Sequence, residues 1–417
     1  MKRSCKNIDL TDWQQILPHV TDCIERHYTR WDFRRLICGI GGMGAKDYQI
    51  AAENHNKAAL APAEENIAKE AARRIRAYKL QLDPVAIGEK VDNSSFKHRL
   101  IGRESAMQQV LDHIAVGASE EIWKRRLVPN QASSIAGRGP VSGTKKIQKW
   151  IMNDNKTAAW SKAHGKRYYR KCRYAAKLDI ENCYGSADAQ VFMSLFRRDC
   201  GNERLIWLWD ELLKSHRVNG YTGFMIGALP SQWAMQYLIS YVYRFAMDLH
   251  IIRRGRRIKS ISHMLIYMDD MLVFGSSRKN LKSAIRKIVK YVRDKLHMKI
   301  KGNWQIFEVD DTPVDMMGYV VHADGAVTIR ARIFLRFRRV ALRCLRRKKM
   351  TIGQARRICS YKGYIRPSPK RKTKLNLRNR KITKELQLKK LFNAAANMVS
   401  RADRRANYDR RIQCAAG

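Results

Sequence analysis

Carboxylates are scarce in this chain. Against 83 Lys and Arg stand only 37 Asp and Glu in 417 residues, a formal net charge of +46. An imbalance of that size implies a polyanionic partner. Long apolar runs are missing too. No stretch approaches the ~20 apolar residues that a membrane-spanning helix needs, and the run from Tyr237 to Met247 is at most a core helix. The first residues, Met1-Lys2-Arg3-Ser4-Cys5-Lys6-Asn7, lack the apolar core of a signal peptide. A membrane partner is therefore not expected, nucleic acid is the expected polyanion, and a cytoplasmic location follows. The nine cysteines include no Cys-x-x-Cys pair, and no His stands at zinc spacing from them. A disulfide framework is not expected in a chain this long with an odd cysteine count, and Cys183 and Cys359 read as small buried hydrophobes in a reducing compartment.

Two of the few carboxylates are adjacent. Leu265-Ile266-Tyr267-Met268-Asp269-Asp270-Met271-Leu272-Val273-Phe274-Gly275 reads as apolar strand, tight turn, apolar strand, with both acids at the tip. Such a hairpin presents oxygen ligands suited to a hard cation such as Mg²⁺. Two ions so held can stabilise the attacking and leaving oxygens of an in-line displacement. A lone Asp-Asp pair is more often a solvated turn, so the surrounding pattern decides.

Upstream, Tyr174-Ala175-Ala176-Lys177-Leu178-Asp179-Ile180-Glu181-Asn182-Cys183-Tyr184-Gly185-Ser186 reads as a buried strand ending in an acid. Asp179 is the natural third metal ligand, across adjacent strands from the hairpin acids. The alternative is an ordinary strand whose terminal Asp caps a helix. Tyr184, five residues on, can lie under an incoming sugar, where its ring would collide with a ribose 2′-hydroxyl and favour deoxynucleotides. Between the acidic segments, Gly223-Phe224-Met225-Ile226-Gly227-Ala228-Leu229-Pro230-Ser231-Gln232-Trp233 reads as a Gly-rich loop opening a helix, which lets backbone approach a base pair or phosphate.

In this order, Asp179 with Tyr184, Gly227 with Ser231, and Tyr267-Met268-Asp269-Asp270 resemble the successive A, B and C motifs of reverse transcriptases. Leu296-His297-Met298-Lys299-Ile300-Lys301 and Val314-Asp315-Met316-Met317-Gly318-Tyr319 are similar to that family's D and E segments. Arg99-Leu100-Ile101 through Gln131 to Gly139 resembles the fingers of bacterial members. The likeness spans roughly residues 95 to 365. It implies an α+β right-hand polymerase with fingers, a palm of antiparallel sheet plus helices, and a helical thumb. It implies two Mg²⁺ ions, with Mn²⁺ as a substitute, on Asp179, Asp269 and Asp270 and the main chain of Ile180. Tyr184, Arg138, Gly227, Ser231, Gln232 and Lys299 would contact the nucleotide, with Lys299 or Lys301 near the general-acid position. Tyr267, Met268 and the primer-grip turn Met317, Gly318 and Tyr319 would contact primer and template. Partners would be an RNA template, a DNA or RNA primer and dNTPs, with a small basic accessory protein by resemblance only, in a bacterial or phage-encoded setting.

One departure bears on subtype. Most members carry Gln-Gly…Ser-Pro in the B loop, whereas this chain has Ile226-Gly227…Ser231-Gln232. That form is similar to diversity-generating retroelement enzymes, and an aliphatic in place of an amide near the nascent pair implies error-prone copying. Retron-type and antiphage defence-associated enzymes, which use a dedicated structured RNA, are the alternative. A group II intron maturase fits less well, and an RNA-dependent RNA polymerase is disfavoured by Tyr184. A non-catalytic RNA-binding protein is the remote alternative.

Four segments are expected: a helical N-terminal extension over 1–90, fingers over 91–170, the palm over 171–325, and a basic thumb and tail over 326–417. His113 reads as packed or capping, and Lys97 and Arg99 as weaker phosphate candidates beside Arg138, whose guanidinium fork suits phosphate oxygens. From Ile329, cations including Arg336 and Arg339 punctuate the apolar positions Ile333, Leu335, Val340, Leu342 and Leu345, a helix able to pack on one side and grip a duplex on the other. Beyond it, 366–411 reads as a final basic helix or tail on RNA. No RNase H-like or nuclease constellation follows, so target cutting and integration are expected to fall to other proteins.

Overall fold

The computed structural model describes residues 3–91, 98–217, 223–347, 350–365 and 390–402. It is a mixed helix-and-sheet protein whose chain divides into two compact units, each assembled from three separated stretches. Elements are numbered along the chain.

The first unit comprises residues 1–129, 178–248 and 285–303. It holds α1 (Trp13–His27), α2 (Trp31–Cys38), α3 (Ala45–Glu53), α4 (Ala61–Arg76), the hairpin β1 (Ala86–Val91) and β2 (His98–Arg103), α5 (Ala106–Ala118) and α6 (Glu120–Arg126). It also holds α8 (Ala189–Asp199), α9 (Glu203–Ser215), α10 (Leu229–Asp248) and the larger part of α11 (Arg278–Leu296). Helix starts follow from capping chemistry. Asp12 accepts from the Gln14 amide at 2.9 Å, Asp188 from Gln190 at 2.7 Å and Asn202 from Leu205 at 3.0 Å. Residues 39–44, with four glycines, link α2 to α3, and His113 is packed on α5, 3.2 Å from an Asp22 carboxylate oxygen. Burial pushes the His113 imidazole down to about 4.

At the core of this unit, Trp123, Phe192, Phe196, Trp209 and Tyr237 pack in stacked, tilted and edge-on pairs 5.2–6.5 Å apart. Beside them Asp199, 3 % exposed, pairs with Arg126 and accepts from the hydroxyls of Tyr237 (2.6 Å) and Tyr241 (3.0 Å). Burial alone would raise this carboxyl. The Arg126 guanidinium and the Tyr237 hydroxyl outweigh it and hold the carboxyl below its usual range. Removing one partner of such a pair strands a buried charge, so Asp199→Ala should cost about 3–5 kcal/mol in denaturant unfolding. Since the folded carboxyl is the stronger acid, this stabilisation is present above the unfolded carboxylate value of about 3.9 and is lost as pH falls through the folded one.

A second buried acid behaves oppositely. Asp112 on α5 is fully buried, and neither of its oxygens has a hydrogen-bond partner. Burial, then the charge of Glu104, pushes its carboxyl well up. Glu104 is itself committed to His216 Nε2 at 2.7 Å. The folded chain therefore holds a proton there that the unfolded chain releases, and stability falls as pH rises from the unfolded carboxylate value toward the raised one. Asp112→Asn should raise Tm at pH 8 and change it little at pH 4, as thermal unfolding across that range would read.

The second unit comprises 130–177, 249–284 and 304–417. It holds β3 (Gln131–Ala132), α7 (Pro140–Ala163), all but the last two residues of β4 (Tyr174–Asp179), the hairpin β5 (His250–Arg253) and β6 (Arg256–Lys259), and strands β7 (His263–Tyr267) and β8 (Asp270–Gly275). After β9 (Ile306–Glu308), a small antiparallel sheet of β10 (Val314–Met316), β11 (Tyr319–Val321) and β12 (Val327–Ile329) leads to α12 (Ala331–Arg347) and α13 (Ile352–Ile365). The main sheet has order β3-β7-β8-β4-β9. Its core joins Leu265, Leu272 and Phe274 of the sheet to Ile147 and Ile151 of α7 and to Phe337 and Ala341 of α12. Asp154 on α7 ties the connection into β4, accepting from Tyr168 Oη (2.8 Å) and from the amides of Lys171 (2.8 Å) and Cys172 (3.0 Å). Cys183 is buried as expected. Cys359 is only half-buried, because its place on α13 leaves one side to solvent.

Candidate active site

In the second unit, β7 and β8 pair in the register Leu265↔Leu272 and Tyr267↔Asp270, leaving Met268 and Asp269 as a two-residue turn. Met264 to Ile266 and Met271 to Phe274 are wholly buried, while Tyr267, Met268, Asp269 and Asp270 are half-buried. The strands thus anchor the tip and bring its carboxylates to the rim. Met268 takes a left-handed conformation (φ 56°), a cost of about 1–2 kcal/mol for a residue bearing a side chain. Burial, reinforced by the negative charges of Asp270 and Asp269, pushes the Tyr267 phenol up despite the Ser133 hydroxyl.

Beside this tip runs β3, parallel to β7 with Ala132 against Tyr267. The loop that follows folds on itself: the Ser133 amide donates to the Arg138 carbonyl (2.6 Å) and the Arg138 amide to the Ile135 carbonyl (3.0 Å). Ser133, Ser134 and Gly137 are left-handed. Ser134 Oγ lies 4.0 Å from Met268 Sδ. Half-buried Arg138 therefore stands on the loop that opens α7, a 24-residue helix whose free amides and dipole favour an anion. Burial and the Arg138 charge push the nearby Lys146 ammonium down.

Met317 and Gly318 form the β10–β11 turn, both with positive φ (56° and 83°). A side chain at Gly143 would sit 2.6 Å from Met317 Sδ, so α7 lies directly against this turn. Tyr319 is buried at 1 % exposure with its hydroxyl on the Tyr364 carbonyl (3.2 Å), so its ring serves packing while the turn before it carries the surface. On α12, Phe337, Ala341 and Cys344 face the core, Arg336 is half-buried and Arg339 exposed.

In the first unit, Asp179 stands where β4 ends. An isolated antiparallel bridge, Ile180↔Ile300, sets residues 179 and 181 across from 301 and 299. The Lys301 amide donates to the Asp179 carbonyl (2.9 Å) and the Glu181 amide to the Lys299 carbonyl (2.8 Å). Their side chains follow the same register. Lys301 Nζ pairs with Asp179 Oδ2, and Lys299 Nζ lies 2.9 Å from Glu181 Oε2. Asp179 Oδ1 is buried with no hydrogen-bond partner. The helix after β4 is capped by Asp188, so the capping role considered for Asp179 falls to a residue nine positions later. Among the described residues, no group of three or more His, Cys, Asp or Glu is arranged to hold a metal ion. The orphaned oxygen of Asp179 and the hard-oxygen character of Asp269 and Asp270 are the features that fit Mg²⁺, and Lys301 supplies the cation at Asp179.

The Gly-rich loop packs against this segment. The Phe224 amide donates to the Tyr184 carbonyl at 2.8 Å, and a Cβ on Gly223 would lie 2.4 and 2.5 Å from the carbonyl oxygens of Gly185 and Tyr184. Ile226 accepts from the Gly102 amide of β2 (3.0 Å), and a Cβ on Gly102 would meet Met225 at 2.3 Å. Gly227, at φ 110°, turns the chain into α10, where Ser231 is buried with an unpartnered hydroxyl and Gln232 is half-buried. Gly102 was not singled out in the sequence, although the Arg99-Leu100-Ile101 segment ends on it. The resemblance places Lys299 at the nucleotide and leaves the general-acid position to Lys299 or Lys301, which only strand register distinguishes. Lys97 and residues 366–389 and 403–411 lie outside the described residues.

No protein-family model matches the chain, and no curated protein does. Among solved structures, it is similar to telomerase from Candida albicans in complex with the TWJ fragment of telomeric RNA, at 13 % identity and TM-score 0.38 over 59 % of this chain. The match spans less than half of that chain, 45 %. A superposition so partial carries no argument about fold or activity. No helix among the described residues is long and apolar enough to cross a membrane.

Gly223→Ala should force the Gly-rich loop off Tyr184 at a cost of about 1–3 kcal/mol. Hydrogen exchange would check it: the Phe224 amide, which donates to Tyr184, should lose protection ahead of the α10 amides.

Proposed function

We propose that this chain is a template-directed nucleotidyltransferase with a right-hand polymerase architecture. Within that class the motif order favours an RNA-directed DNA polymerase, a reverse transcriptase. The observation that carries this reading is the β7–β8 hairpin, whose buried strands bring Asp269, in the two-residue turn, and Asp270, at the start of β8, to one end beside the Arg138 loop. In the same sheet β8 neighbours β4, the strand that ends in Asp179.

Asp179, Asp269 and Asp270, with the Ile180 carbonyl, would hold two Mg²⁺ ions. When bound, those ions would neutralise charge on the attacking primer oxygen and the departing pyrophosphate. The protein's own contribution is positioning. Arg138 and the α7 amides offer donors to triphosphate oxygens, Tyr184 limits the space at the sugar 2′ position, and Gly227, Ser231 and Gln232 border the nascent pair. Tyr267, Met268 and the Met317–Gly318 turn would seat the primer, and Arg336 and Arg339 the duplex backbone. Lys301 is a better placed proton donor or counter-charge at Asp179 than Lys299, which is engaged by Glu181. The Ile226-Gly227…Ser231-Gln232 loop favours error-prone synthesis of the diversity-generating retroelement type, with retron-type or defence-associated synthesis on a dedicated structured RNA as the alternative.

One observation favours a second reading. Lys301 already neutralises Asp179, as it would in an RNA-binding scaffold that does no chemistry.

The test is incorporation of dNTPs against rNTPs on a primed RNA template with Mg²⁺. The polymerase reading expects dNTP incorporation that drops at least 10³-fold in Asp269→Ala/Asp270→Ala and in Asp179→Asn, of the order lost when a principal charge-stabilising group is removed. Incorporation indifferent to both substitutions, or none with any RNA the chain binds, would leave the scaffold reading standing. Sequencing the product reports fidelity.

A further inference from the structure

The β5–β6 hairpin belongs to none of the polymerase motifs. Its residues, His250-Ile251-Ile252-Arg253-Arg254-Gly255-Arg256-Arg257-Ile258-Lys259, include four arginines and a lysine and no carboxylate. All four residues of β6 are exposed, and Ile252 and Ile258 are 75 % and 40 % exposed. A two-stranded ribbon open to solvent on this scale is marginally stable by itself. Two further features work against it. Arg253 pairs directly opposite Arg256, and like charges so placed repel. At the tip, Arg254 and Gly255 form a two-residue turn with φ 49° and 70°, and a left-handed arginine occupies the place where Asn or Gly would be at ease. Among the described residues, neither Arg253, Arg254, Arg256 nor Lys259 is in an ion pair with a carboxylate. The ribbon concentrates charge at a cost to its own folding, which a bound polyanion would offset.

We infer that the β5–β6 hairpin is a phosphate-binding arm for a double-stranded RNA stem, outside the polymerase site. The occupant follows from the side chains. The strands carry only Arg, Lys, His and Ile, and the major groove of A-form RNA is too deep and narrow for side chains to read its base edges, so the contact is to phosphates and independent of sequence. A narrow ribbon with cations along both strands matches the two phosphate rows flanking that groove. The choice of RNA over DNA rests on the polymerase reading above; the phosphate contact itself does not.

The experiment uses the full-length chain and a fluorescently labelled 20-base-pair RNA stem, with anisotropy followed from 50 to 200 mM salt. Arg253→Gln/Arg254→Gln/Arg256→Gln should weaken binding about 10-fold or more at 100 mM salt and make the log–log salt dependence shallower by about 2–3. The matching triple lysine variant should restore both. Extension of a short primer on an unstructured RNA template should be unchanged in either. Because binding is read without turnover, a chain that fails to polymerise still tests the arm. An unaltered salt slope in the glutamine variant would overturn the inference. So would an equal loss from Lys282→Gln/Arg286→Gln/Lys287→Gln on the exposed side of α11, since the effect would then be bulk charge. So too would a loss confined to anionic phospholipid vesicles with RNA affinity intact, which would make the hairpin a membrane contact.

Discussion

Everything in this protein is conditioned by the shortage of carboxylates. With 37 acids among 83 Lys and Arg, long-range repulsion opposes compaction, and the acids that exist are spent where they organise most. Asp199 joins Arg126 to the hydroxyls of α10 in the aromatic core of one unit. Asp154 fastens α7 to the start of β4 in the other through a hydroxyl and two amides. Against that background, two half-buried acids stand side by side at the end of a hairpin, and a third, ion-paired with Lys301, keeps one buried oxygen without a hydrogen-bond partner.

The legible part of the fold was what depends on local pattern. The apolar runs around Asp269 and Asp270 and the demand for a tight turn fix the β7–β8 hairpin without reference to anything distant. The helices at α10 and α12 follow from their apolar patterning. What was not legible depends on register and on pairing between remote segments. Nothing local says that residue 301 rather than 299 faces Asp179; that follows from the single Ile180↔Ile300 bridge. Nor does local pattern show that Tyr319 turns inward, or that Gly102 and Gly143 are small because Met225 and Met317 fill the space beside them. The basic ribbon at 250–259 was hidden for another reason: in a chain so rich in arginine, one more cluster does not stand out until both of its strands are seen exposed.

The glycines of the Gly-rich loop explain how recognition and packing are combined. Gly223 lies against Tyr184 and Gly185, Ile226 against Gly102, and Gly227 turns away at a φ few other residues adopt. The loop is thereby held on two sides by backbone hydrogen bonds and anchored by the buried side chains of Phe224 and Met225.

The interleaving of the chain has a consequence for its biosynthesis. Each unit draws on three stretches, and the first is completed only by residues 285–303, the second only by helical residues 390–402. During translation the N-terminal helices α1 to α6 can pack on one another as they emerge, but their unit is completed only when α8 to α11 follow, and the sheet and last helices of the second unit come later still. Completing each core therefore waits on contacts distant in sequence, which slows folding. A nascent chain this basic spends that interval beside ribosomal and messenger RNA, polyanions that its charge attracts before its cores are complete.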